Sequence, residues 1–342
     1  MPAETAFAAP RNPAGHAPIR RSGSIRRTST LETSWPEGMA GNLHITGRAR
    51  DAVTPRSGGP PTVCAYDTFQ AELRWDRTIV AIAAAPARDA IGRLVGARGG
   101  GHLRSALDEI LPQERRNATP LHLILDDISG ASLVAGWAWS LWSDGWQGAR
   151  AGAGSPAGGP TFTRRSMEGV CTGFRPGSSA LADDDASRAS HNATPVKDLR
   201  HPDDPDGWHP FSEQAGVGMR RARLIDVWCD EVIHIDALFQ DSATHPTGGR
   251  AAIHEYGLKA TADPRSLELL SLVADPRVLP FPECPSATAN IVRMLGAPLP
   301  ALRDKVLVEL KGVAGCTHLN DMLRSLAEAA VLVERLNGSL PA

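Results

Sequence analysis

The stretch MRRARLIDVW, residues 219–228, is followed three residues later by VIHIDALFQDSATHPTGGR, residues 232–250. Both phrases alternate in the two-residue rhythm of half-buried strands, and His-Pro and Gly-Gly mark the turn that closes the second. Their weight comes from a second copy. Residues 25–35 read IRRTSTLETSW and residues 42–60 read NLHITGRARDAVTPRSGGP. Each copy has an Arg-Arg strand opening, an apolar-His-Ile strand, a D-x-x-T-P or D-S-A-T-H-P turn and a Gly-Gly pair. Further on, DAIGRLVGARGGGHLRSALDEIL (89–111) parallels ANIVRMLGAPLPALRDKVLVEL (289–310), and TPLHLILDD (119–127) parallels GCTHLNDML (315–323). Matches kept in one order predict an internal duplication, in tandem or pseudo-two-fold arrangement.

The later copy gives the plan of the unit. AAIHEYGLKATAD (251–263) is a third strand closed by Asp-Pro, and SLELLSLVADPRVLP (266–280) a fourth. PSATANIVRML (285–295) has helical spacing and stops at Gly296. PALRDKVLVEL (300–310) is a second helix, with Pro300 in the first turn where its missing N–H costs little. THLNDMLRSLAEAAVLVERLNG (317–338) is a third, with Thr317 as N-cap and Asn337-Gly338 as stop. The expected class is α+β: a duplicated unit with a mostly antiparallel sheet of three to four strands, covered on one face by about three helices.

Between and before the copies the composition changes. Residues 1–19 are Ala, Pro and Arg without periodicity and predict a disordered N-terminal arm. Residues 20–146 form the first, degenerate repeat and 216–340 the second. Residues 147–215 contain GARAGAGSPAGGP, SSALADDDASRAS and HPDDPDGWHP, and predict a linker or loop region. Trp139, Trp142 and Trp146 at helical spacing suggest core or an interface between the blocks.

The chain has 342 residues and a formal net charge of -2. That balance gives no signal for nucleic acid or a membrane surface. No apolar run approaches the ~18 residues of a membrane helix, and the N-terminus lacks the apolar core of a signal peptide, so the expected compartment is the cytoplasm. Five cysteines, Cys64, Cys171, Cys229, Cys284 and Cys316, are odd in number, widely spaced and free of any CxxC pair. They predict buried thiols or ligands and no disulfide framework.

Two of them stand out. Cys284 and Cys316 each directly precede a predicted helix, where backbone N–H groups and the helix dipole favour a thiolate. Setting Gly96 against Gly296 places Cys284 opposite Ala84, and setting His122 against His318 places Cys316 opposite Pro120. The first block keeps the framework and lacks both thiols, which points to chemistry in the second. His318 and Asp321 follow Cys316 by two and five residues and share a helix face. His254 and Glu255 lie on opposite faces of their strand, so at most one faces a shared site. Cys284, Cys316, His318, Asp321 and His254 are therefore the candidate metal ligands, for zinc, iron or an iron–sulfur species. His318 and His234 have counterparts in His122 and His44 and also fit a framework role. Asp126 and Asp127 fit a cation site or a helix start.

Taken together, GSIRRTSTLETSWPEG, GRARDAVTP, LVGARGG, CTGFRPGSSAL, HEY, RVLPFPECPSATAN and GCTHLND resemble a bacterial family catalogued as domain of unknown function 2889, across nearly the whole chain after the first ~15 residues. The resemblance implies no activity. The second block is also similar to the IscU/NifU type of iron–sulfur scaffold, with Cys284 and Cys316 matching two of its cysteines. It departs where Glu283 and Gly315 replace the scaffold's Gly and His. The scaffold's first cysteine has no match, and the nearest loop carries Asp241 and His245. The resemblance implies a scaffold or carrier acting with a protein partner. Two alternatives remain at this level: a thiol-dependent enzyme or accessory subunit of a catabolic pathway, pairing Cys316 with His318, and a structural or binding protein without chemistry.

Overall fold

The computed structural model describes residues 8–142, 167–182, 193–211 and 213–339. Its centre is one nine-stranded sheet rather than a separate sheet for each block. Four strands, β1 (Ser24–Ser34), β2 (Leu43–Thr54), β3 (Thr62–Leu73) and β4 (Ile79–Ala85), form an antiparallel meander. A second meander follows the short strand β5 (Thr194–Val196): β6 (Gly218–Cys229), β7 (Ile233–Thr244), β8 (Arg250–Ala262) and β9 (Leu269–Val278). The meanders join where β1 runs antiparallel to β6. β5 and β9 both pair with β8.

Charge sets the register of that junction. Arg26 faces Asp226 and Glu32 faces Arg220 across the two strands, and the carboxylates of both acids accept from the guanidiniums at 2.7–3.2 Å. A one-residue slip would leave four buried charges unpaired, which costs several kcal/mol each.

Each meander is followed by helices. The first has α1 (Gly101–Ile110), α2 (Pro112–Arg116) and α3 (Pro120–Val134); the second has α4 (Leu302–Glu309), α5 (Thr317–Ser325) and α6 (Glu328–Ser339). They cover one face of the sheet with two apolar cores. Leu31, Ile45 and Phe69 meet Leu121, Ile124 and Ile128 in one; Ile225, Ile235 and Tyr256 meet Leu319, Met322 and Leu326 in the other. Helices also cross the junction: Glu328 at the start of α6 binds Arg27 of β1, and Asp127 of α3 binds Arg223 of β6 at 2.6 Å.

The reverse face is covered as well. Residues 8–19, expected as a free arm, lie against the body: Ala17 N–H donates to Leu199 O at 2.8 Å, and Arg26 donates to Pro18 O. Ala17, Leu199, Trp208 and Phe211 pack on Ala222, Leu224 and Leu238. The described part of the expected linker therefore supplies a strand and a cover. Both faces of β1 and β6 are buried, which is why polar residues on their second face sit in pairs. His209 shows this: its two ring nitrogens lie 2.8 Å from the Thr28 and Thr30 hydroxyls.

The predicted helices are altered in detail. Cys284–Met294 is a 3-10 helix, a spacing that a short apolar pattern does not distinguish from α. The long C-terminal helix is broken between Ser325 and Glu328, and the residue capping its first part is Cys316 rather than Thr317. Trp35 stacks on Trp75 and lies 5.5 Å from Trp139, while Trp142 donates to Thr244 O. Trp146 lies outside the described residues.

The meanders share local devices. Arg27 grips Asp51, and Arg221 grips Asp241, each through two guanidinium–carboxylate bonds across neighbouring strands. The strand after each aspartate carries a bulge, at Asp51/Ala52 and at Asp241/Ser242. Gly96 N–H bonds Ile79 O as Gly296 N–H bonds Leu269 O. Both glycines have positive φ, +89° and +74°, where a side chain would be strained.

Candidate metal centre

Three strands lay the floor of the site. Arg221, Asp241 and His254 are successive register partners across β6, β7 and β8, so their side chains leave the sheet on the helix side. Burial alone would raise the Asp241 carboxyl. The bidentate Arg221 guanidinium, helped by the neighbouring histidines, overrides burial and holds Asp241 well below the usual carboxylate range. A fixed negative charge therefore stands at the floor.

His318 descends from the first turn of α5. Its ring stacks on His254 with centroids 3.4 Å apart and planes 20° from parallel. His254 Nδ1 is 3.5 Å and His318 Nε2 3.6 Å from the same Asp241 oxygen, Oδ2. These contacts are too long for strong hydrogen bonds. His254 Nδ1 is buried, and its one polar neighbour is that Asp241 oxygen, held at the long 3.5 Å. Burial pushes both imidazoles down, and for His318 the adjacent His254 adds to it, so both rings are neutral at pH 7.

Asp241, His254 and His318 offer three ligand atoms within 4.8 Å of one another. Metal–N/O bonds of about 2.0–2.2 Å place neighbouring donors roughly 3–3.6 Å apart, so the Asp241–His spacings suit a shared ion. Neutral imidazoles with free lone pairs and an ionised carboxylate are the protonation states a metal needs. Arg221 occupies one direction on Oδ2 and leaves the oxygen's other lone pair available.

The structure sorts the remaining candidates. Cys316 is buried, with Sγ 3.9 Å from His318 Nδ1. Cys284 is buried nearby, and the two thiols act on each other electrostatically. Neither is a ready thiolate. Burial raises both, and for Cys316 it outweighs the N–H groups of Leu319 and His318 at the helix start. The dipole argument for easy ionisation thus fails by desolvation, and the Cys316–His318 contact holds two neutral groups.

Asp321 does not join the site. Its carboxylate accepts from Arg221 Nη1 and Arg104 Nη2, both at 3.0 Å. Asp126 and Asp127 are likewise bound by Arg104, Arg324 and Arg223 and serve as counter-ions. His234 stacks on Trp228, and Glu255 turns to the reverse face, where it accepts from Gln240.

Sequence reasoning did not count Asp241 among the candidate ligands, because D-S-A-T-H-P read as a turn. Its signal is the Arg opposite it on the preceding strand, which becomes visible only once β6 and β7 are paired. Cys171 was missed because it stands in a stretch read as linker, yet it lies beside Cys284 and Cys316.

The site's elements lie within one recognised span. Residues 219–332 match a protein family of unknown function, DUF2889. The DUF2889 span opens in β6, closes in α6, and holds Asp241, His254, Cys284, Cys316 and His318. Cys171 and the first meander fall outside it. No curated protein and no solved structure matches the chain.

Proposed function

We propose that this protein binds a divalent metal ion of the zinc or iron class through Asp241, His254 and His318. The carrying observation is the convergence of two neutral imidazoles and an ionised carboxylate, all buried, with one ligand atom of each within 4.8 Å of the others.

The same reading treats the chain as an internal duplication whose first unit has lost the chemistry. Ala65 stands opposite Asp51 where His254 stands opposite Asp241, and Arg335 of α6 takes the free side of Asp51. A carboxylate clamped by two guanidiniums has no charge left for a metal. The shared arginine–aspartate grips, bulges and glycine clasps support the duplication.

The test is metal content after purification without oxygen and loading with Zn²⁺ or Fe²⁺. Wild-type protein is expected to hold one equivalent insensitive to Cys171→Ser, and His254→Ala to lose it while keeping its melting transition. Metal-free wild type, or a fully loaded His254→Ala, overturns the reading.

A further inference from the structure

The two ring nitrogens of His318 keep different company. Nε2 faces Asp241 Oδ2 at 3.6 Å, beyond hydrogen-bond range. Nδ1 lies 3.3 Å from Thr317 Oγ1 and 3.9 Å from Cys316 Sγ, within the longer reach of a sulfur acceptor. Nδ1 is therefore the hydrogen-bonded nitrogen, and Nε2 is the one left free toward the carboxylate.

The acceptors around Nδ1 are themselves held. The Tyr256 hydroxyl donates to the Cys316 sulfur, as do the backbone N–H groups of His318 and Leu319. Tyr256 stands two residues beyond His254 on β8, so both side chains leave the strand on the same face. The turn that carries Cys316 and Thr317 is fastened from outside. Thr172 N–H donates to Gly315 O at 2.8 Å, Thr172 Oγ1 to Val313 O at 2.6 Å, and Asn320 Nδ2 to Leu310 O at 2.8 Å. A ligand side chain keeps its aim only when the groups behind it are locked in this way.

An imidazole that binds a metal gives a lone pair from one nitrogen and donates its other N–H to a neighbour, which fixes the tautomer and the direction of the ring. We propose that His318 ligates the ion through Nε2, and that Thr317 and Cys316 are positioning residues that receive its Nδ1–H, with Tyr256 holding the thiol in place. The inference rests on the metal reading of Asp241, His254 and His318. His254 presents Nδ1 to the same carboxylate oxygen at 3.5 Å, so the two rings ligate through unlike nitrogens. The His318 ring stays neutral, with its one hydrogen on Nδ1. The sulfur stays outside the ligand set.

The test is Zn²⁺ affinity by chelator competition on the full-length reduced protein, with imidazole nitrogen NMR on the loaded wild type. The wild type is expected to show His318 with hydrogen on Nδ1 and metal on Nε2. The double variant Cys316→Ala with Thr317→Val is expected to keep one Zn²⁺ per chain and to bind it roughly 10–100-fold more weakly. Cys316→Ser, whose hydroxyl also accepts, is expected to stay near wild type, and Tyr256→Phe to lose affinity by less than the double variant. Groups that merely cap α5 would move the melting temperature and leave the affinity unchanged. A wild type that takes up no Zn²⁺ overturns the metal reading and this inference together. A loaded wild type in which His318 ligates through Nδ1, or a double variant that binds as tightly as wild type, overturns this inference alone. The NMR result is read on the wild type and stands even where a variant fails to fold.

Discussion

His209 lies buried between Thr28 and Thr30 on the reverse face of the sheet, with Arg48, Arg50 and Arg220 facing it. Burial, followed by those arginines, pushes its imidazole down to about 3. A free imidazole titrates near 6.5, so between the two values the unfolded chain binds the extra proton and folding stability rises with pH. The contribution is complete above about pH 6.5 and is lost as pH falls toward 3. At pH 4 it amounts to roughly 3 kcal/mol relative to pH 7. Urea unfolding of His209→Gln at pH 7 and pH 4 is expected to show a shallower decline than wild type; parallel declines would refute this. At this scale the sequence was partly legible. His254 and His318 stood out by residue type and position. Asp241 did not, because its place beside them depends on which strands are neighbours.

The helices show why element-level reading succeeds in outline and fails in detail. Period-two alternation located β7 and β8, whose helix-facing residues are apolar apart from the charged floor. β1 is buried on both faces, and its polar residues read as exposed until the pairings are known. α3 passes so close to β6 that Gly130 has no room for a side chain. A Cβ there would collide with Arg221 Nη1 and come within 2.6 Å of Asp321 Oδ2. Gly130→Ala would normally favour a helix by about 1 kcal/mol. Here overpacking against a buried ion pair reverses the sign, and a net loss of about 1–3 kcal/mol is expected. Gly92→Ala, with nothing within 4 Å of its Cβ, serves as the neutral control in the same thermal-melt comparison. Two variants of equal stability would show that α3 has room to move.

The whole molecule is held together by exchange across the β1–β6 junction. The cores interpenetrate: Ile25 and Val53 pack with the second block, and Met219, Ala243 and Ile253 with the first. Asp127 of α3 answers Arg223, and Glu328 of α6 answers Arg27. Removing one partner of a buried pair leaves an uncompensated charge at a cost of about 3–5 kcal/mol. Asp127→Ala is expected to destabilise the protein by about that much. It should do so in a single transition seen alike by probes in either block. Separate transitions for the two blocks would mean that the junction is not a cooperative unit. The strand segments were legible in the sequence, but their joining into one sheet was not. Strand order between distant segments is set by edge pairing, which leaves no local periodicity.

The junction itself has a further consequence. In the β1–β6 ladder Ser29 lies opposite Arg223, and the Arg26–Asp226 and Glu32–Arg220 pairs sit at equal distances on either side. Each strand thus offers its neighbour the same order of arginine and acid that it receives, as in a self-complementary contact between identical subunits. Two copies of one such meander could meet in this register with every charge still answered. Joined in one chain, the two strands need not be identical for this register to hold, and their neighbours are free to differ.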